Sequence, residues 1–315
     1  MKGGNPIMRK YIISLYFGSI ILLGSNIVNQ AEAQGPPINT DTAFVTGLES
    51  AAIRSFGKAT RLLGSLPGGR GELNIISIPL IVPYELLPNK LVVGASIPYL
   101  DKEKKTTING ERKSFSDSGL GDLTLFGKYQ FFQRDVHAQT TRMSALGKVK
   151  LPTGEDDEKT SAGLRLPASV QLGSGSDDYT LGLIFTHIKK RLGINADLIY
   201  TLKTEANSFE FGDILNYDIA FGYRLLPVVY ETYPAKHLNL YLEFNGKLSQ
   251  KNKQNDKRVD DSGRNTIFLS PGIQFIPARN FLIEASFQKP IYEDLRGNQL
   301  DTDYSFNVGF RWLLF

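Results

Sequence analysis

Three histidines, His137, His187 and His237, carry the only imidazoles of the chain, and their wide separation gives no metal-ligand spacing. There is no cysteine. That removes disulfides, thiolate ligands and cysteine nucleophiles, and it suits an envelope compartment where stray thiols oxidise. The cluster Gly64-Ser-Leu-Pro-Gly-Gly-Arg-Gly71 lacks the Lys-Ser/Thr ending of a phosphate-binding loop. Leu151-Pro-Thr-Gly154 lacks both the spacer and the apolar tail of a cell-wall sorting signal, and reads as a strand end turning into a loop. The acidic run Glu155-Asp156-Asp157-Glu158, with Asp177-Asp178 beyond it, has the oxygen chemistry to bind calcium or bridge lipopolysaccharide, although a solvated loop explains it more simply. The basic runs Lys102 to Lys105 and Lys251 to Arg258 would meet lipid phosphates. A membrane-embedded hydrolase would need a serine beside His187, and the strands expected over 142–151 and 194–203 present no outward serine. No catalytic residue, metal or cofactor is expected, and the chain does not read as an enzyme.

The elements that would position any functional side chain are strands. Of 315 residues, 41% are apolar and 22% charged, and the mean hydropathy of −0.18 is too low for a bundle of membrane helices. Arg9 and Lys10 precede an apolar run from Tyr11 to Leu23, and Ala31-Glu32-Ala33 offers a small-x-small cleavage site, so residues 1–33 read as a secretory signal peptide. A membrane anchor is the rival reading, but Asn26, Asn29 and Gln30 interrupt the run early. Without Lys2, Arg9, Lys10 and Glu32 the chain is close to charge balance, which argues against a nucleic-acid partner.

Beyond residue 70, apolar and polar residues alternate with period two. In 238–248, Leu238, Leu240, Leu242, Phe244 and Leu248 share one face, and Asn239, Tyr241, Glu243, Asn245 and Lys247 the other. The same pattern marks strands near 73–84, 90–99, 120–132, 142–151, 179–189, 194–203, 215–225, 266–277, 281–288 and 304–315. Phe44–Arg61 would supply a twelfth, although its alternation is poor and a helix suits it equally well. Short connections alternate with polar segments at 101–118, 153–178, 204–211, 250–264 and 290–302, as in barrels with short periplasmic turns and long outer loops. Aromatic residues near strand ends, among them Tyr84, Tyr99, Tyr129, Phe131, Tyr179, Tyr223, Phe275, Phe281 and Tyr304, fit interfacial girdles better than a soluble sandwich.

The expected fold is therefore an all-β, transmembrane, antiparallel up-and-down β-barrel of twelve strands. It would comprise a signal peptide (1–33), an N-terminal segment (34–70) that is a first strand, a plug or a periplasmic extension, and the barrel (71–315). The chain finishes on Phe315, an aromatic end that would be read by the barrel assembly machinery, yet Phe315 is out of phase with the apolar face ending at Leu314. Either Leu313-Leu314 holds a bulge that restores the phase, or the assembly signal is atypical.

Gly119-Leu-Gly-Asp-Leu-Thr-Leu-Phe-Gly-Lys-Tyr-Gln-Phe-Phe132, then Leu151-Pro-Thr-Gly154, then Leu172-Gly-Ser-Gly-Ser-Asp-Asp-Tyr-Thr-Leu-Gly-Leu183 resemble, in order and spacing, the outer-membrane proteins of the phenol-degradation MetA-pathway family. The resemblance spans about residues 70 to 315. It implies a barrel in the outer membrane of a Gram-negative-type bacterium and uptake of small hydrophobic or aromatic solutes, and it supplies no catalytic residues. Outer-membrane lipid and lipopolysaccharide are the expected surroundings. By parity, the lumen-lining candidates are Asp122, Lys128, Lys148, Asp197, Asn216, Asp218, Arg224, Asn239, Glu243, Lys247 and Glu284. They would either line a solute path or pair with one another to satisfy a polar interior. The functional expectation is a passive channel. The alternative is a structural or surface-binding barrel whose lumen is closed.

Overall fold

The computed structural model describes residues 35–45, 51–108, 110–229 and 236–314. Residues 1–33, read above as a signal peptide, and Phe315 lie outside them. Seventeen strands are β1 (Ala51–Leu66), β2 (Gly69–Leu87), β3 (Leu91–Ile108), β4 (Glu111–Leu120), β5 (Leu123–Val136), β6 (Gln139–Leu151), β7 (Asp178–Lys189), β8 (Leu192–Leu202), β9 (Glu205–Ala206), β10 (Phe209–Glu210), β11 (Ile214–Leu226), β12 (His237–Ser249), β13 (Lys253–Gln254), β14 (Lys257–Arg258), β15 (Arg264–Ala278), β16 (Phe281–Leu295) and β17 (Asp301–Leu314).

Thirteen of these form one antiparallel sheet in chain order, and β1 pairs with both β2 and β17, so the sheet closes. β4 and β5 both pair with β3 and are two halves of one stave, broken at Gly121-Asp122, which makes a barrel of twelve staves. Closure satisfies every edge, as a sheet in lipid requires. β9, β10, β13 and β14 form a separate small sheet in the outer loops. Its hairpin turns place Asn207-Ser208 and Asn255-Asp256 at positive φ, the geometry of two-residue loops that follow strand twist.

Alternation sets the two faces. Leu181, Leu183 and Leu198 point outward and are exposed to lipid, while Ile184, Thr186 and Asp197 point inward and are buried. Tyr84, Tyr129, Tyr223 and Phe275 ring the short-turn end, and Tyr99, Tyr179 and Tyr200 the opposite end. Outward-facing Tyr217 lies across its cross-strand partner Gly246, where an added Cβ would come within 2.1 Å of the ring. Its hydroxyl donates to Asn265 at 2.8 Å.

Several polar stretches expected as loops continue the staves. Residues 101–118 extend β3 and β4 as a hairpin turning at Gly110 (φ 80), and β16 runs on to Leu295. A strand of about ten residues spans the bilayer; β2 has 19 and β3 18, so their outer ends stand in water, where neither face need be apolar. Phe44 is not in a strand, the first stave is described over Ala51–Leu66, where the helical alternative does not hold, and residues 46–50 of the expected strand lie outside the described residues. No bulge occurs at Leu313-Leu314. Pairing of β17 with β1 is continuous from Tyr304 to Leu314, and the irregularity lies at Arg61/Leu62 instead.

Candidate functional site in the barrel lumen

Residues 35–45 lie inside the barrel, in the half nearer the short turns, and carry no strand of their own. Their backbone polar groups are taken by side chains of the wall, as groups buried without a ladder partner must be. Glu243 on β12 accepts from Ile38 N (3.0 Å), Asn39 N (3.1 Å), Thr40 N (2.7 Å) and Thr40 Oγ1 (2.7 Å). Asp197 on β8 accepts from Asp41 N at 2.7 Å, and Thr186 Oγ1 on β7 from Ala43 N at 2.8 Å.

The carbonyls are met by donors. Tyr241 donates to Gly35 O, Gln274 to Pro36 O (2.9 Å), Arg311 to Pro37 O (2.7 Å) and Arg54 to Ile38 O (2.9 Å). Lys128 donates to Thr42 O at 2.7 Å and pairs with Asp41 at 3.2 Å, and Ser144 donates to Ala43 O at 2.6 Å. Ala43 itself packs on Leu146 and Ile184. Wall carboxylates and hydroxyls thus hold the N–H groups, while wall cations, amides and hydroxyls hold the carbonyls.

The lumen candidates divide into groups. Glu243, Asp197 and Lys128 grip the inner segment directly. Glu284 does so through Arg311 (3.1 Å) and Arg54 (3.3 Å), which share its carboxylate. Lys148 faces inward opposite Thr180 and acts electrostatically on Asp41. Asn239 is fully buried and donates to Gln274 at 3.0 Å, and Arg224 is buried at the short-turn end. Asp122 sits at the break between β4 and β5, where it accepts from Gly154 N and Ser174 N (3.0 Å each) and pairs with Lys150 at 2.9 Å. It ties the 152–177 loop to the wall. Asn216, Asp218 and Lys247 lie beyond the inner segment toward the outer mouth, where Asp218 is the direct cross-strand neighbour of Asp197.

The sequence reading missed the other wall. The inward face of β2 carries Leu73, Ile75, Pro79, Ile81 and Pro83, and that of β3 Val92, Pro98 and Leu100. Gly121 lies against Leu100, Pro98 and the carbonyl of Leu172, and Gly119 against the Leu172 side chain, so the outer loop 152–177 folds in over this apolar side. The lumen is amphipathic: mostly polar along β8, β11, β12 and β15–β17, apolar along β2–β3. The available signal was that β2 is apolar on both faces, a pattern that fits lipid outside and an apolar lining within.

His187 faces outward, and Thr141 Oγ1 lies 2.9 Å from its Nδ1. Starting the strand at Arg142 left this neighbour out. Among the described residues, no carboxylate pairs with His187.

Residues 73–300 match the model of a family described as "Putative MetA-pathway of phenol degradation". No curated protein matches the chain. Among solved structures, an outer-membrane channel from Pseudomonas putida F1 is similar with a TM-score of 0.63 at 12% identity, over 89% of this chain and 100% of that one. The β domain of the Bordetella autotransporter BrkA is similar with a TM-score of 0.44 at 11% identity, over 84% of this chain and 98% of that one.

Proposed function

The chain belongs to the phenol-degradation MetA-pathway family and folds as an outer-membrane barrel like that of known channels, and on that premise we propose that it is a passive channel for small hydrophobic or aromatic solutes. The observation that carries the proposal is the amphipathic lumen. The strip on β2–β3, apolar except at Ser77 and Ser96, stands beside a polar wall, and a solute with a ring and one polar group is matched by both. Transfer would follow the solute gradient, with lumen width and lining setting selectivity. The hydrogen-bonded segment 35–45 would be the gate, since its contacts are non-covalent and can be exchanged for water.

A second reading has its own observation. The same segment is held by side chains of nine staves, which suits a closed barrel whose outer loops meet lipopolysaccharide or other ligands and which transports nothing. Uptake separates the two. The mature protein from Gln34 would be placed in vesicles with a lipopolysaccharide outer leaflet, because phospholipid alone does not retain phenol, and phenol entry compared with empty vesicles. Faster entry, reduced by bulking Asn216, supports the channel. A folded, heat-modifiable barrel giving neither phenol entry nor planar-bilayer conductance refutes it.

A further inference from the structure

Four basic side chains converge in the outer half of the lumen: Lys247 on β12, and Lys58 on β1, Arg264 on β15 and Lys203 after β8, the last three acting electrostatically on Lys247. Two are neutralised, Lys203 by Asp178 at 2.7 Å and Arg264 by Glu293 at 3.4 Å. Among the described residues, Lys58 and Lys247 form no ion pair. Their direct neighbours are neutral: Ser77 and Asn307 flank Lys58, and Asn216 and Thr266 flank Lys247. The carboxylate that Lys58 feels, Asp218, is already engaged by the backbone N–H of Gly246 at 3.1 Å.

An ammonium inside a lumen is costly unless something answers its charge. Beside Lys58, the diagonal positions on β2 are Ile75 and Pro79, and the strip continues to Ile81 and Leu100. Lys58, half-buried and facing the carboxylate of Asp218 but in no ion pair among the described residues, thus adjoins that strip, and Lys247, open to the lumen, lies within electrostatic reach of it.

We propose that this outer chamber binds apolar monocarboxylates, with Lys58 and Lys247 taking the carboxylate and the strip on β2–β3 taking the apolar body. The proposal rests on the channel reading and adds a charge requirement to it. A neutral solute of the same shape occupies the strip but leaves both ammoniums unanswered. An anion gains charge-assisted hydrogen bonds from each.

The test is equilibrium dialysis of the folded, detergent-solubilised full-length mature chain with benzoate and with its neutral isostere benzamide. Benzoate is expected to bind more tightly than benzamide. The double variant Lys58→Gln, Lys247→Gln is expected to weaken benzoate by about tenfold or more while leaving benzamide unchanged, and Lys58→Arg, Lys247→Arg to keep benzoate within about threefold of the parent. Equal binding of the two probes, no benzoate binding, or benzoate binding insensitive to the glutamine pair overturns the proposal. Phenol entry into vesicles is measured on the same preparations. Entry without benzoate selectivity leaves the channel standing and removes only the anion chamber.

Discussion

Glu243→Gln should release the inner segment without unfolding the barrel. The carboxylate is fully buried, and its two oxygens divide five donors between them: Oε2 serves Thr40 N and Thr40 Oγ1, and Oε1 serves Ile38 N and Asn39 Nδ2, with Asn39 N reaching both. A glutamine amide turned either way offers one oxygen and sets its NH2 against groups that are themselves donors. At least two charge-assisted bonds are lost, each worth about 1.5–3 kcal/mol. The docked state should weaken by about 3–5 kcal/mol, or about 10²–10³ in the docked-to-released ratio. The chain has no cysteine, so a single Ala43→Cys reports release cleanly; Ala43 is 0% exposed when docked. Maleimide labelling of that thiol follows the open population when closing is fast. Labelling should accelerate about 100-fold or more in the Glu243→Gln background, and planar-bilayer conductance should rise with it. Unchanged labelling in a barrel that still shows heat-modifiable migration would mean that Glu243 is not what holds the segment.

Arg311→Met leaves Glu284 with Arg54 as its one cation, beside the Gln274 amide, and frees Pro37 O; a loss of about 2–3 kcal/mol is expected in urea unfolding from vesicles, and Arg54→Met combined with it should cost more than the two separately. Gly246→Ala must displace the Tyr217 ring and strain its bond to Asn265, costing about 1–3 kcal/mol, whereas the same change in a Tyr217→Leu background should cost much less. Leu183→Arg places a cation on a side chain 58% exposed to lipid at mid-strand, and refolding into vesicles should show a penalty of about 2–4 kcal/mol.

Much of the barrel was legible because the lipid and the lumen impose opposite demands on alternate residues. Leu238, Leu240 and Leu242 against Asn239, Tyr241 and Glu243 could scarcely be anything but a stave. The reading weakened wherever those demands lapse. At 101–118 both faces meet water, so a hairpin looked like a loop. In β2 both faces meet apolar surroundings, so Ile75, Pro79 and Ile81 did not enter a list of lining residues drawn up for polarity. The inner segment left no pattern of its own. Asn39-Thr40-Asp41-Thr42 is an ordinary polar stretch, and the partners of the inner segment lie up to 274 residues away, as Arg311 does from Pro37, distributed over nine staves. Nothing local records such a fit. Parity brought Glu243, Asp197 and Lys128 forward as inward-pointing groups, while what each one grips required the structure.

The seam between β1 and β17, where Ala51 meets Leu314, is the longest-range pairing in the barrel. Bringing the ends of a free chain of that length together costs about 5 kcal/mol of loop entropy before any ladder bond forms. The inner segment changes that sum. It precedes β1 and binds Glu243 on β12, Gln274 on β15 and Arg311 on β17, while Arg54 at the start of β1 reaches both Ile38 O and Glu284 on β16. Once the segment lies on the open sheet, β1 is tethered about a dozen residues from its partner, and the remaining closure costs about 2 kcal/mol. A piece of chain lodged in the pore therefore also serves as a template for the assembling wall, turning the most distant contact in the sequence into a nearby one.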